Sequence, residues 1–262
     1  MAKRLPTFSE SLIVARSHGA NSQAPNLWNG LAADWNLLQG GGSTLYDIAN
    51  GNDGVLDSGL RDNWLMTEKG WAVDFPVGGG DSIRIPDSQR LRNYDTDFCI
   101  AAWLNHAENA TDTLYAPSGT NWRFMIGNNG SIRLTINGDT MTSAGSNYTV
   151  GEWFHAAVSY ELAAKEVTFF INGNSIGTDT TTNAVADTPS VVYLWSFFSG
   201  QLSTILHYNR ALQPAEIQQL YADPHAMHRR RPVTVSFVDA GGGPSASIAP
   251  AAYHQAQMAG AL

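Results

Sequence analysis

The sequence predicts an all-β domain, a sandwich or barrel of short antiparallel strands, and three observations predict it. Trp153–Tyr160 alternates with a period of two: Phe154, Ala156, Val158 and Tyr160 share one face, and Trp153, His155, Ala157 and Ser159 share the other. A second strand-like run, Val167–Ile171, follows across a short polar turn and ends in Asn172-Gly173. That dipeptide suits the two positive-φ positions of a tight hairpin. Finally, runs of this kind recur at intervals of roughly 8–15 residues, the spacing of a sandwich or barrel rather than of alternating strands and helices.

Composition agrees. The 262 residues suit one large all-β domain with extensions, or two small domains, and such a chain buries enough apolar surface to fold without staples. Charged residues make up only 15%, and Asn, Thr, Ser and Gly fill the polar positions, a mix that favours strands and turns. The single cysteine, Cys99, excludes an internal disulfide framework; within the apolar run FCIAAW it reads as a buried, inert thiol. Near the amino terminus the apolar run is only Leu12–Ala15, short of the roughly 7–15 residues of a secretory leader. No stretch approaches the roughly 20 apolar residues of a membrane span.

Taken in order, residues 1–25 lack periodicity and read as an amino-terminal arm. Leu27–Leu38 is a strand region, Gly40–Gly42 a loop and Tyr46–Leu56 a turn-rich segment. Trp71–Phe75 alternates, with Trp71, Val73 and Phe75 on one face, and Ser82–Ile85 is a further short strand. Phe98–Leu104 is almost continuously apolar, as a strand buried on both faces would be. Trp122–Ile126 and Ile132–Ile136 form a hairpin across Gly127–Gly130, and Asn137-Gly138 closes the next turn. After the Trp153–Ile171 meander, Val191–Phe198 and Gln201–Tyr208 bring the count to ten to twelve strands. One helix is expected, Pro214–Tyr221, with Pro214 at its first position, Glu216 in its first turn and an apolar stripe of Ile217, Leu220 and Tyr221 that packs on a sheet edge. Pro224 stops it, so the body runs over 26–225.

Residues 226–262 form a different segment, with a basic cluster (Arg229, Arg230, Arg231), an alternating run (Val233, Val235, Phe237) and then a Gly-Pro and Ala/Ser-rich end. It is too poor in apolar residues to build its own core, so it is disordered alone or ordered by a partner, to which its alternating run could add a strand. The net charge of −8 is unevenly spread: the first 16 residues and the tail each carry +2, which leaves −12 on the body. Basic ends on an acidic body suggest ends that dock on something negative.

Four blocks resemble the laminin-G-like, or concanavalin-A-like, jelly-roll superfamily: LYDIANGNDGVL (45–56), WAVDFPVGGGDSIRIP (71–86), FCIAAWLN (98–105) and GQLSTILHYNRALQPAEIQQLYADP (200–224). The resemblance implies two curved antiparallel sheets packed face to face, with one short carboxy-terminal helix and extended terminal arms. It leaves function open, since relatives include lectins, adhesion modules, glycosidases and virion proteins. The segment YADPHAMHRRRPVTVSF is similar to the carboxy termini of laminin-G-like proteins encoded by tailed bacteriophages, in which the body is displayed and the end anchors.

The chemistry-bearing residues are sparse. Glycosidases need a carboxylate pair flanking the scissile bond, and none of the seven glutamates alternates with a second acid along a strand. No pair of histidines has metal-ligand spacing on one strand or helix, and His155 and His207 read as hydrogen-bonded core residues. Calcium-binding relatives often carry an acid soon after the glycine of the closing strand, where this chain has Gly200-Gln201-Leu202-Ser203-Thr204. Asp47 and Asp53, with Asn50 and Asn52, are the alternative oxygen cluster, though a tight Asx-rich turn explains them equally. No cofactor is therefore expected. Among the eight tryptophans, Trp64 and Trp122, flanked by Asn63, Asn121 and Arg123, are the candidates for an exposed sugar-stacking surface.

The expectation from sequence is a non-enzymatic virion surface protein of a bacteriophage, a capsid decoration or fibre-like subunit made in the host cytoplasm. Its anchoring residues would be Arg229, Arg230, Arg231, Val233, Val235 and Phe237. Other virion proteins, above all the major capsid protein, are its expected partners, with homo-oligomers within a particle and neither nucleic acid nor membrane. The alternative is a carbohydrate-binding module for a host surface glycan, with Trp64, Trp122 and Arg123 as contacts. A glycoside hydrolase is the reading the carboxylates argue against.

Overall fold

The computed structural model describes residues 22–118, 122–187, 189–196 and 198–229, with two further short segments, 235–236 and 247–248. The strands in chain order are β1 (Leu31–Trp35), β2 (Thr44–Leu45), β3 (Gly54–Leu56), β4 (Trp64–Thr67), β5 (Gly70–Phe75), β6 (Ile83–Ile85), β7 (Phe98–His106) and β8 (Asp112–Pro117). They continue with β9 (Trp122–Ile126), β10 (Ile132–Ile136), β11 (Asp139–Thr142), β12 (Trp153–Glu161), β13 (Glu166–Ile171), β14 (Asn174–Thr180), β15 (Val192–Ser196) and β16 (Gly200–Tyr208). One α-helix follows, α1 (Pro214–Ala222). Beyond the body, β17 (Val235–Ser236) and β18 (Ser247–Ile248) pair with each other.

These strands form two antiparallel eight-stranded sheets. Sheet one runs β14-β13-β12-β7-β16-β5-β4, with β1 joining β16 beyond β5; sheet two runs β11-β10-β9-β8-β15-β6-β3-β2. The alternation in β12 is realised as read. Phe154, Ala156, Val158 and Tyr160 enter the core between the sheets, where each large side chain removed from water contributes roughly 1.5–3 kcal/mol. The Asn172-Gly173 turn has φ of 49° and 79°, the left-handed pair a two-residue hairpin requires. Two buried networks cross the sandwich. The His207 ring lies 2.9 Å from both the Tyr115 hydroxyl and Asn93 Oδ1. His106 joins the Tyr148 hydroxyl (2.9 Å) to Asp112 (3.0 Å).

A second apolar cluster lies on the outer face of sheet one. There Ile217 and Leu220 of α1 pack with Cys99, Ala101, Ala157, Phe170, Leu206 and Tyr208. The helix thus covers the face and not an edge, because Cys99, Ala101 and Ala157 are small enough to let it approach. The Glu216 carboxylate holds the helix start by accepting from the Gln213 N–H (3.1 Å) and from Arg210 (2.7 Å), an arrangement that keeps its pKa below the ordinary value. Burial pushes the Cys99 thiol well above its usual range, so it is inert as expected. Packed structure extends slightly beyond 26–225: Ser22, Ala24, Ala226 and Met227 are all buried.

Candidate functional site

The outward positions of β7 step from small to large. Cys99 and Ala101 lie under α1, and the next outward residue, Trp103, sits where the helix ends. The last turn of α1 lays Tyr221 against it, with ring centroids 5.4 Å apart and planes 20° from parallel. Gly173 makes room for this arrangement. A Cβ there would stand 3.1 Å from the Tyr221 side chain, on a backbone already at φ +79°. From the β4–β5 turn, Lys69 Nζ approaches to 4.1 Å from the Trp103 ring centroid, a cation–π distance. The Ser203 hydroxyl fixes that turn by donating to the Lys69 carbonyl at 2.8 Å.

These groups floor a solvent-open cleft of about 320 Å³, walled by Glu68, Thr204, Ala222–His225 and Arg229. Trp103 is 6% exposed and Tyr221 is 39% exposed, so Tyr221 presents the accessible ring. Asp223 pairs with Arg229 at 3.1 Å and accepts the His225 backbone N–H at 3.1 Å. Beneath the floor, His155 lies 5.6 Å from Trp103. Burial lowers its pKa to about 3, so the ring is neutral; burial also lowers that of His225. Trp103 Nε1, His155 Nδ1 and His225 Nδ1 have no hydrogen-bond partner among the described residues. An aromatic platform edged by a few polar groups is a common construction for a small-molecule or sugar site.

The two ends of the packed chain meet beside the cleft, where Arg229 is held. Gln23 N–H donates to the Arg229 carbonyl (2.8 Å), and Trp28 Nε1 donates to the Met227 carbonyl (2.7 Å). His228 Nε2 meets the fully buried Asp34 carboxylate at 2.5 Å, and its ring stands edge-on to Trp28 at 5.2 Å.

The candidates read from sequence scatter. Arg229 joins the cleft and its wall. Arg230, Arg231, Val233 and Phe237 lie outside the described residues, and Val235 is placed only as a partner of Ile248. Trp64 is half-buried on β4 and donates its indole N–H to the Gly42 carbonyl at 3.0 Å. Trp122 is a correction: it is 1% exposed and stacks inside the sandwich on Tyr115, 5.1 Å away, because it shares the inward parity of Phe124 and Ile126. Arg123, one residue on, faces outward.

Asp47 closes a turn. Its carboxylate accepts N–H bonds from Asp34, Ala49, Asn50 and Asn52, plus the Asn52 side chain, at 2.8–3.2 Å. Burial raises its pKa against the pull of those bonds. Asp53 Oδ1 accepts the Asp47 N–H at 2.9 Å. These bonds make the Asx-turn reading sufficient for both residues. Among the described residues, no group of three or more His, Cys, Asp or Glu side chains is arranged to hold a metal. Trp103 and Tyr221 escaped sequence reading because each sits in an apolar pattern for which core is the default. The available signal was that Tyr221 falls at the very end of the helical stripe.

Comparison with known proteins agrees on the fold. The binding domain of Paraclostridial Mosquitocidal Protein 1 superposes with a TM-score of 0.61 at 15% identity, over 74% of this chain and 52% of that one. Trypanosoma rangeli sialidase gives 0.59 at 15%, over 84% of this chain and 39% of the sialidase. Domain 4 of AbnA, a GH43 extracellular arabinanase from Geobacillus stearothermophilus solved in complex with arabinotriose, gives 0.53 at 19%, over 73% and 98%. This chain therefore spans about half of the first protein and about two fifths of the second. At these identities the likeness is one of fold. No curated protein sequence matches the chain. Residues 77–218, more than half of the chain, match a laminin-G family described as the concanavalin A-like lectin/glucanases superfamily, and to that superfamily the chain belongs.

Proposed function

We propose that the chain is a non-catalytic carbohydrate-binding module whose sugar site is the cleft between the end of α1 and the outer face of sheet one. The observation that carries this reading is the Tyr221–Trp103 stack, open to solvent on Tyr221 and edged by Lys69, Glu68, Thr204 and Arg229. A sugar ring lies against the tyrosine. When the flexible Lys69 side chain swings aside, the Trp103 platform extends the contact. The solved arabinotriose complex of AbnA domain 4 lends the reading support, since 98% of that domain superposes on 73% of this chain.

The module is non-catalytic in this reading because, of the two carboxylates that wall the cleft, Asp223 already holds Arg229 and a backbone N–H, which leaves Glu68 without a free acid partner. It also works without calcium. A polysaccharide and glycan-array screen of the full chain, run with calcium and with EDTA, tests it. Retention on at least one glycan, equal in both conditions, lost in Tyr221→Ala and unaccompanied by new reducing ends, is the expected result. Failure to retain any glycan refutes it.

A second reading, display on a virion, is favoured by the clasp between Gln23 and Arg229, which roots both arms at one place on the body. Two ends of the packed body held together at one place suit joint anchoring in a particle, with other virion proteins as partners. Deletion of 230–262 should then abolish incorporation, and normal assembly of the truncated chain would refute it.

A further inference from the structure

We propose that the outer face of sheet two is a second, separate binding site, one for the carboxylate groups of an acidic polysaccharide, with Arg123 and Arg133 as its cationic contacts. The inference does not depend on the cleft, which lies on the other sheet.

Alternation places the two residues. Trp122, Phe124 and Ile126 of β9 and Ile132, Leu134 and Ile136 of β10 point into the core, so Arg123, Met125, Arg133 and Thr135 point out. Arg123 is opposite Thr135 and Arg133 opposite Met125. The two arginines are therefore diagonal neighbours across adjacent strands, at a backbone separation of roughly 7–8 Å. α1 covers sheet one, and none of these outward residues belongs to either apolar cluster.

Neither arginine has a carboxylate partner among the described residues, whereas Arg84, Arg92, Arg210 and Arg229 each have one. Arg133 makes one bond, from Nη2 to Asn128 Oδ1 at 2.9 Å, and the Nε atoms of both arginines are buried without a partner. Two half-buried guanidiniums thus lie along the sheet with no anion between them, on a protein of net charge −8. Such planar forks match carboxylates in a two-point contact.

The rest of the face indicates which kind of anion. Its outward neighbours are Thr113, Thr135, Thr140 and Thr142. Among the described side chains, Val55 is the only exposed large apolar one in a strand of this sheet, on β3, four strands from β9. A protein partner needs an apolar centre to its contact, and around the two arginines this face offers hydroxyls, guanidiniums and the nearly buried Met125. An extended, hydrated, carboxylated sugar polymer fits that chemistry. Repulsion from the acidic body is screened beyond roughly 8–10 Å in physiological salt, so binding should be modest and sensitive to salt.

The test is affinity electrophoresis of the full chain through gels holding polygalacturonate, its methyl-esterified form, or dextran sulfate. The variants are Arg123→Gln/Arg133→Gln and, in parallel, Tyr221→Ala. The expected result is retardation by polygalacturonate that weakens at least tenfold in the double variant, persists in Tyr221→Ala, vanishes in 0.5 M NaCl and is absent from the esterified gel. Three results would overturn the proposal: no retardation, retardation that survives in the double variant, or equal arginine-dependent retardation by dextran sulfate. An unchanged melting temperature of the double variant shows that its fold is intact.

Discussion

Replacing His207 by phenylalanine probes the tie between the sheets. The imidazole is fully buried, and burial lowers its pKa to about 3, so it is neutral. Its hydrogen bonds then fix the tautomer: Nδ1 accepts from the Tyr115 hydroxyl, and Nε2–H donates to Asn93 Oδ1, each at 2.9 Å. Phenylalanine keeps a ring of similar shape but leaves both partners buried and unpaired, and Asn93 already sits at φ 55°. An orphaned buried polar group costs about 1–3 kcal/mol, so with two such groups the variant should lose about 2–6 kcal/mol. Urea unfolding measures the loss as a lowered midpoint at unchanged slope. The pair His207→Phe/Tyr115→Phe should cost less than the sum of the single changes, because the second substitution removes a group the first has orphaned. A loss below about 0.5 kcal/mol, or strict additivity, would refute the account.

Other consequences follow from the same geometry. His155 and His207 have folded pKa values near 3, below the value of about 6.5 for an exposed ring. The unfolded chain therefore binds more protons between these values, and stability is complete above pH 6.5 and falls as pH drops toward 3, by at most about 1.4 kcal/mol per unit for each histidine. Melting temperatures from pH 7.5 to 4.5 should decline, and the decline should be shallower in His207→Phe. Gly200→Ala adds a Cβ 2.0 Å from the Asn105 carbonyl, at φ +136°, and should cost more than about 2 kcal/mol in thermal unfolding. His228→Ala strips buried Asp34 of its partner; a loss of about 2–4 kcal/mol is expected, with faster amide exchange confined to 22–29 and 223–229. Adding Asp34→Asn should recover part of it.

The fold was legible where period and turn chemistry coincide. Phe154–Tyr160 and Val167–Ile171 specify the β12–β13 hairpin from local residues alone, Asn172-Gly173 marks the turn after it, and β7, apolar throughout, shows two buried faces before its neighbours are known. β14 was illegible: NSIGTDT is an exposed edge whose strand character comes from its ladder with β13. The tryptophan candidates show the limit for sites. Polar flanks suggested a surface position for Trp122, but parity with Phe124 and Ile126 was the stronger signal, since a strand residue shares the fate of those two away. Trp103 and Tyr221 meet only because α1 folds back over sheet one, and no local pattern contains that contact. The arginines of sheet two are legible by the same parity once the core face is known.

The most direct test of the sugar-binding cleft is to titrate the retained glycan into protein carrying ¹⁵N-labelled indoles. Trp103 Nε1–H, without a hydrogen-bond partner among the described residues, should shift progressively with sugar while Trp122 and Trp35 inside the sandwich stay fixed. Tyr221→Ala should weaken the apparent affinity about tenfold or more, roughly 1.4 kcal/mol. A glycan that binds while the Trp103 resonance does not move, or one that binds Tyr221→Ala as tightly as the parent chain, would contradict the account.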